Sequence, residues 1–63
     1  MDDLEERSVF TGVCESIGVQ GDGIFKVGSS GFVIMVPNTV LGEEYTVEIT
    51  RLFERYGFGT VVS

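Results

Sequence analysis

Tyr45-Thr46-Val47-Glu48-Ile49-Thr50 alternates apolar and polar residues along its whole length. Side chains along a strand point to opposite faces in turn, so apolar residues at 45, 47 and 49 predict one buried face. Thr46, Glu48 and Thr50 are then expected to face solvent. The alternation slips at Arg51-Leu52-Phe53, where a β-bulge is expected. Glu54-Arg55 makes a turn, and Tyr56-Gly57-Phe58-Gly59-Thr60-Val61-Val62 reads as the last strand.

Upstream of this pair lies Phe32-Val33-Ile34-Met35-Val36, an apolar run too short for a typical helix. It predicts a central strand with both faces at least partly covered. Pro37 ends it, because proline cannot donate to the ladder. Asn38 to Glu44 is expected to cross over, with room for one helical turn. Further upstream, Ile24-Phe25-Lys26-Val27 reads as a short strand joined to the central one by Gly28-Ser29-Ser30-Gly31, a hairpin loop. Val19 to Gly23 is turn chemistry, and Val9 to Ile17 is rich in β-formers and reads as one first strand. The expected fold class is all-β, a small five-stranded OB-like antiparallel β-barrel whose closure hides strand edges.

A chain of 63 residues holds one folded core. A domain of this size buries only about 60% of its unfolded surface, so an enclosed catalytic pocket would compete with the core for the same side chains. No apolar run approaches the roughly 20 residues of a membrane helix. Residues 1–7 read as an acidic, flexible N-terminal tail without the apolar stretch of a signal peptide, and residues 8–63 as the domain. A cytoplasmic protein is therefore the expectation.

Much chemistry is excluded by residue type. The sequence contains no histidine and one cysteine. A Ser-His-Asp triad, a Cys–His nucleophile and a zinc site cannot be built within one such chain. Cys14 is read as a buried, inert thiol. Gly21-Asp22-Gly23 lacks the Gly-Lys-Ser/Thr ending of a phosphate loop and is read as a tight turn. Asp22, Glu43 and Glu44 are read as solvent-facing turn residues, not as a metal site. Neither enzyme activity nor a cofactor is expected.

The net charge of −6 argues at first against a nucleic-acid partner. Its distribution matters more. Asp2, Asp3, Glu5 and Glu6 carry four of those charges, which leaves −2 on residues 7–63.

Three segments in order resemble the TRAM domain, a small OB-like RNA-binding module found beside RNA-modifying enzymes and alone in archaea. They are Gly21-Asp22-Gly23-Ile24-Phe25-Lys26-Val27, then Gly31-Phe32-Val33-Ile34-Met35-Val36-Pro37 with Leu41-Gly42-Glu43, and last Val47-Glu48-Ile49-Thr50-Arg51 leading to Tyr56-Gly57-Phe58-Gly59. The resemblance runs from about Val9 to Val62. It departs from the family at Phe53-Glu54-Arg55, where the family is usually more basic, and this bears on affinity more than on fold. The resemblance implies a stand-alone archaeal-type protein that binds RNA with low sequence specificity, and some such proteins look like cold-shock RNA chaperones.

Sequence-tolerant binding of single strands needs cations for phosphates and flat rings on which bases stack. Three of the four cations lie beside aromatics: Phe25-Lys26, Arg51 near Phe53, and Arg55-Tyr56 with Phe58 following. Tyr56 and Phe58 share one face of the last strand. They form an outward platform if Gly57, Gly59 and Val61 face inward. Phe25 is read as a surface ring, Phe32 as either core or surface, and Phe10 and Tyr45 as core. The candidate RNA-binding residues are Phe25, Lys26, Phe32, Arg51, Phe53, Arg55, Tyr56 and Phe58. With so few cations, stacking is expected to contribute more than phosphate neutralisation. The expected function is that of a non-catalytic, monomeric RNA-binding protein with no membrane partner, whose target among tRNA, rRNA and mRNA the sequence does not distinguish. The alternative is an accessory domain that docks on an RNA-modifying enzyme or a ribosomal partner.

Overall fold

β-Branched and aromatic residues fill the segments that pair, and glycines punctuate them. In the computed structural model, which describes residues 6–28 and 31–63, these segments form six strands. They are β1 (Val9–Val13), β2 (Ser16–Ile17), β3 (Gly23–Val27), β4 (Phe32–Val36), β5 (Glu44–Leu52) and β6 (Tyr56–Val61). Most of the expected tail, residues 1–5, and the loop residues Ser29 and Ser30 lie outside the described residues. Among the described residues there is no helix, and so none long and apolar enough to cross a membrane.

The strands make one curled, half-barrel sheet in the order β1-β5-β6-β4-β3-β2. The sheet is mixed: β4 and β6 run parallel, with Val33 opposite Tyr56 and Met35 opposite Phe58. Every other pairing is antiparallel. The expected first strand, Val9 to Ile17, is divided at Cys14 and Glu15. Its two halves pair at opposite ends of the sheet, β1 with β5 and β2 with β3. The backbone shows the handover directly. Cys14 N–H donates to the Glu43 carbonyl at 3.0 Å, and Glu15 N–H donates to the Ile24 carbonyl at 2.9 Å.

Cys14, Phe25, Ile34, Val36, Val47 and Ile49 form the buried core on the concave side. Phe10, Phe32, Tyr45, Leu52 and Val61 pack against it. Phe25 meets Phe10 and Tyr45 edge-on, with centroids 6.1 and 6.2 Å away. This offset geometry suits the ring quadrupoles.

Three local readings are corrected by the structure. The crossover after Pro37 contains no helical turn. Instead, Glu43 N–H donates to the Val40 carbonyl at 3.1 Å, and Gly42 takes φ +88° at the third position of that turn. Such a turn needs a residue that tolerates positive φ, which glycine does without a steric cost. Thr46 and Glu48 are half-buried rather than fully solvent-facing, since β1 and the C-terminal residues flank them. Gly23 is a buried strand residue, not part of the turn.

The reason for glycine at position 23 is proximity. A Cβ there would collide with Thr39 Oγ1 and lie 2.8 Å from Cys14 Sγ. Buried Thr39 is itself tied down, its hydroxyl donating to the Val36 carbonyl at 3.2 Å and lying 3.8 Å from Cys14 Sγ. Cys14, Gly23 and Thr39 thus lock the bend of the first strand against the β4–β5 connection. Overpacking of this kind costs about 1–3 kcal/mol. Gly23→Ala is expected to lower unfolding stability by that amount in a urea titration, whereas Gly12→Ala, whose Cβ meets only ordinary contacts from 3.5 Å outward, is expected to leave it nearly unchanged. Equal effects of the two substitutions would remove the packing explanation.

Candidate nucleic-acid interface

Side chains of β3, β4 and β6 that do not enter the core share the convex face. Strand pairing sets them in rows. Ile24 lies opposite Met35, Met35 opposite Phe58, and Phe58 opposite Arg51. Beside that row run Lys26, Val33 and Tyr56. The face is therefore apolar and aromatic in the middle, with Lys26 on one side and Arg51 on the other.

Two features of the chain create this arrangement. First, Gly57 and Gly59 are buried, so the alternating Tyr56 and Phe58 point outward. There is no room for the opposite register. A Cβ at Gly57 would lie 2.6 Å from the Arg51 carbonyl oxygen, and one at Gly59 would lie 2.8 Å from that of Glu48. Second, β5 carries a bulge between Ile49 and Arg51, with Ile49 opposite Gly59 and Arg51 opposite Phe58. Unbroken alternation would have sent Arg51 inward with Val47 and Ile49. The bulge turns it out onto the platform, and the Thr50 hydroxyl fixes the spot by donating to the Phe58 carbonyl at 3.2 Å.

Phe53, Tyr56 and Phe58 form a cluster of three rings. Phe53 and Tyr56 stack with centroids 5.0 Å apart and planes inclined by 24°. Phe58 meets both edge-on, at 5.9 and 5.8 Å. The turn is closed by Phe53 N–H donating to the Tyr56 carbonyl at 2.8 Å. Phe53 keeps 42% of its surface exposed and Tyr56 39%, while Phe58 is half-buried. The Arg51 guanidinium lies 5.8 Å from the Phe53 ring centre, within cation–π reach.

Of the eight residues singled out from sequence, five share this face: Lys26, Arg51, Phe53, Tyr56 and Phe58. Arg55 stands exposed in the adjoining turn, with no ion-pair partner among the described residues. Phe25 requires correction, and Phe32 takes the core side of the two placements open to it. Phe25 is 1% exposed and sits at the centre of the core, so its ring cannot meet a base. Its neighbours Ile24 and Lys26 take the outward positions, because strand alternation leaves only one parity for the core. Phe32 shares the parity of Ile34 and Val36 and packs against the core. Sequence reasoning missed Ile24, Val33 and Met35. The apolar run 32–36 concealed which parity faced out, and only the pairing with β6 reveals it.

The electrostatics are mixed. Lys26 Nζ is 3.9 Å from Glu15 Oε1, a loose and exposed pair of little energetic weight. At the other end, the Glu6 carboxylate accepts from Leu52 N–H at 3.4 Å, so acidic chain reaches the neighbourhood of Arg51. Arg51 and Arg55 form no ion pair among the described residues, and no cluster of His, Cys, Asp or Glu there could hold a metal ion.

No family model matches the chain. It is 38% identical over 55 residues to the uncharacterized protein MJ0660 of Methanocaldococcus jannaschii, a span of 87% of this chain and 69% of that protein. It is also similar to the solution structure of the conserved protein from gene locus MMP0076 of Methanococcus maripaludis. That match has a TM-score of 0.84 at 32% identity and covers 95% of this chain and 83% of that one.

The outward register of the rings depends on the inward glycines, which gives a direct test. Gly57→Ala is expected to cost about 1–3 kcal/mol in denaturant unfolding, because backbone oxygen cannot give way as a flexible side chain does. Tyr56→Ala, at an exposed ring, is expected to cost less than that. The reverse ranking would place Tyr56 in the core.

Proposed function

We propose that this chain, which belongs to the same family as the Methanocaldococcus jannaschii and Methanococcus maripaludis proteins, is a non-catalytic protein that binds single-stranded RNA on the convex face of β3, β4 and β6. The observation that carries the reading is the outward cluster of Phe53, Tyr56 and Phe58 flanked by Arg51 and Lys26. Stacking on exposed rings contributes about 1–3 kcal/mol per base and tolerates any sequence. Three rings clustered at the surface fit an interaction site, since exposed apolar patches mark such sites.

The topology supports the same reading. We read β1 and β2 as one strand bent at Cys14 and Glu15, which gives the mixed half-barrel the strand count of an OB-like fold. In that description β3 and β4 are its second and third strands, the face with which OB folds bind oligonucleotides. The TRAM resemblance of residues 9–62 points the same way. Low sequence specificity follows from a platform that offers π-faces and few fixed hydrogen-bonding groups. A protein that prefers unpaired bases shifts RNA folding equilibria toward open forms without consuming energy, which is how a chaperone role would arise.

Three cations near the face set a limit on electrostatic binding. With about −0.7 per neutralised phosphate on single strands, the slope of log K against log salt should not exceed roughly −2 in magnitude. In fluorescence-anisotropy titrations with a short unstructured RNA, Tyr56→Ala and Phe58→Ala are each expected to weaken binding by about 1–3 kcal/mol. The slope is expected to stay shallow. A steep slope with binding that survives both substitutions would contradict the stacking mechanism. No binding even at low salt would favour docking on a protein partner, a reading to which the net charge of −6 lends itself.

A further inference from the structure

Beside the platform, the turn at residues 18–22 stands up from the sheet and forms one wall of an open groove of about 370 Å³, which Met35, Tyr56 and Phe58 also line. The turn is held by two backbone hydrogen bonds, Gly18 N–H to the Asp22 carbonyl at 2.8 Å and Gly21 N–H to the Gly18 carbonyl at 2.9 Å. Gly21 takes φ +94° there. The wall is thus shaped before any ligand arrives. The residues that line the groove include Gln20 and the half-buried Asp22. Among the described residues the Asp22 carboxylate has no hydrogen-bond or ion-pair partner.

We propose that this groove is a base-selective subsite that prefers guanine. The inference rests on the RNA-binding reading and adds a specificity to it. A phosphate is disfavoured, because Asp22 would repel it and Glu15 stands beside Lys26 on the same face. A base stacked on the rings instead turns one edge toward the wall. An ionised carboxylate only accepts hydrogen bonds, so it selects an edge with adjacent donors. Guanine presents N1–H and the N2 amine side by side, which matches the two carboxylate oxygens. Adenine and cytosine place a ring acceptor next to a single amine, and that acceptor would face a carboxylate lone pair. Uracil flanks its N3–H with two carbonyl oxygens. Discrimination of this kind is strong because the wrong base leaves a polar group unpaired.

Titrations with the full chain test this, using a short oligouridine, the same strand with one central guanosine, and counterparts carrying adenosine, cytidine or inosine there. The guanosine strand is expected to bind about tenfold more tightly than the others, with inosine, which lacks the N2 amine, losing most of the gain. Asp22→Asn is expected to erase the preference while oligouridine binding is unchanged or slightly stronger. Equal affinity for all strands, or a guanosine preference that survives Asp22→Asn, would overturn the subsite and leave the RNA-binding reading standing. Failure of every strand to bind would end both. An Asp22→Asn protein that tightens on all strands alike would show the carboxylate to act only as a repulsive charge, and this too would overturn the subsite.

Discussion

The whole sheet depends on the bend at Cys14 and Glu15, where one short segment leaves β5 and joins β3 within two residues. A sheet this small has two edges, each a row of unpaired backbone groups. The bend lets the N-terminal segment serve both. It requires the backbone of β3 to come close, which is why position 23 has no side chain and why Cys14 and Thr39 sit against it. The buried thiol is a packing element here. It is small, apolar and in van der Waals range of its neighbours, as buried cysteines commonly are.

Curvature then decides which side of each strand can carry function. The concave side has space for a core centred on Phe25, Ile34 and Val47, and there β6 presents Gly57, Gly59 and, at its end, Val61. The rings of the same strand are driven outward as a consequence. The stabilising requirement and the candidate binding surface are two sides of one strand. The bulge in β5 has a similar double effect, since it relieves the strand's register and delivers Arg51 opposite Phe58.

Much of this was legible in the sequence. The alternation at 45–50 and the glycine spacing in Tyr56-Gly57-Phe58-Gly59 each identified an element or a face, because period-2 patterns report burial directly, whereas the bulge expected at 51–53 lies earlier, between Ile49 and Arg51. The split of the first strand was not legible, since β-propensity is indifferent to which partner a strand takes. Phe25 misled for a related reason. Flanked by glycine turns and next to a lysine, it had the local appearance of a surface ring, yet its ring fills the interior between Phe10 and Tyr45 and lies over Gly12. The apolar run at 32–36 hid a divided role, with Phe32, Ile34 and Val36 packing inward and Val33 and Met35 contributing to the outer face.

On the proposed reading, the convex face of β3, β4 and β6 meets RNA through its rings. Backbone amide shifts recorded while unstructured RNA is titrated into the labelled protein test it most directly. Shifts concentrated at Lys26, Met35, Arg51, Phe53, Tyr56 and Phe58 are expected, with Val9, Thr11 and Val13 on the far edge unmoved. Shifts confined to that far edge, or none at low salt, would contradict it.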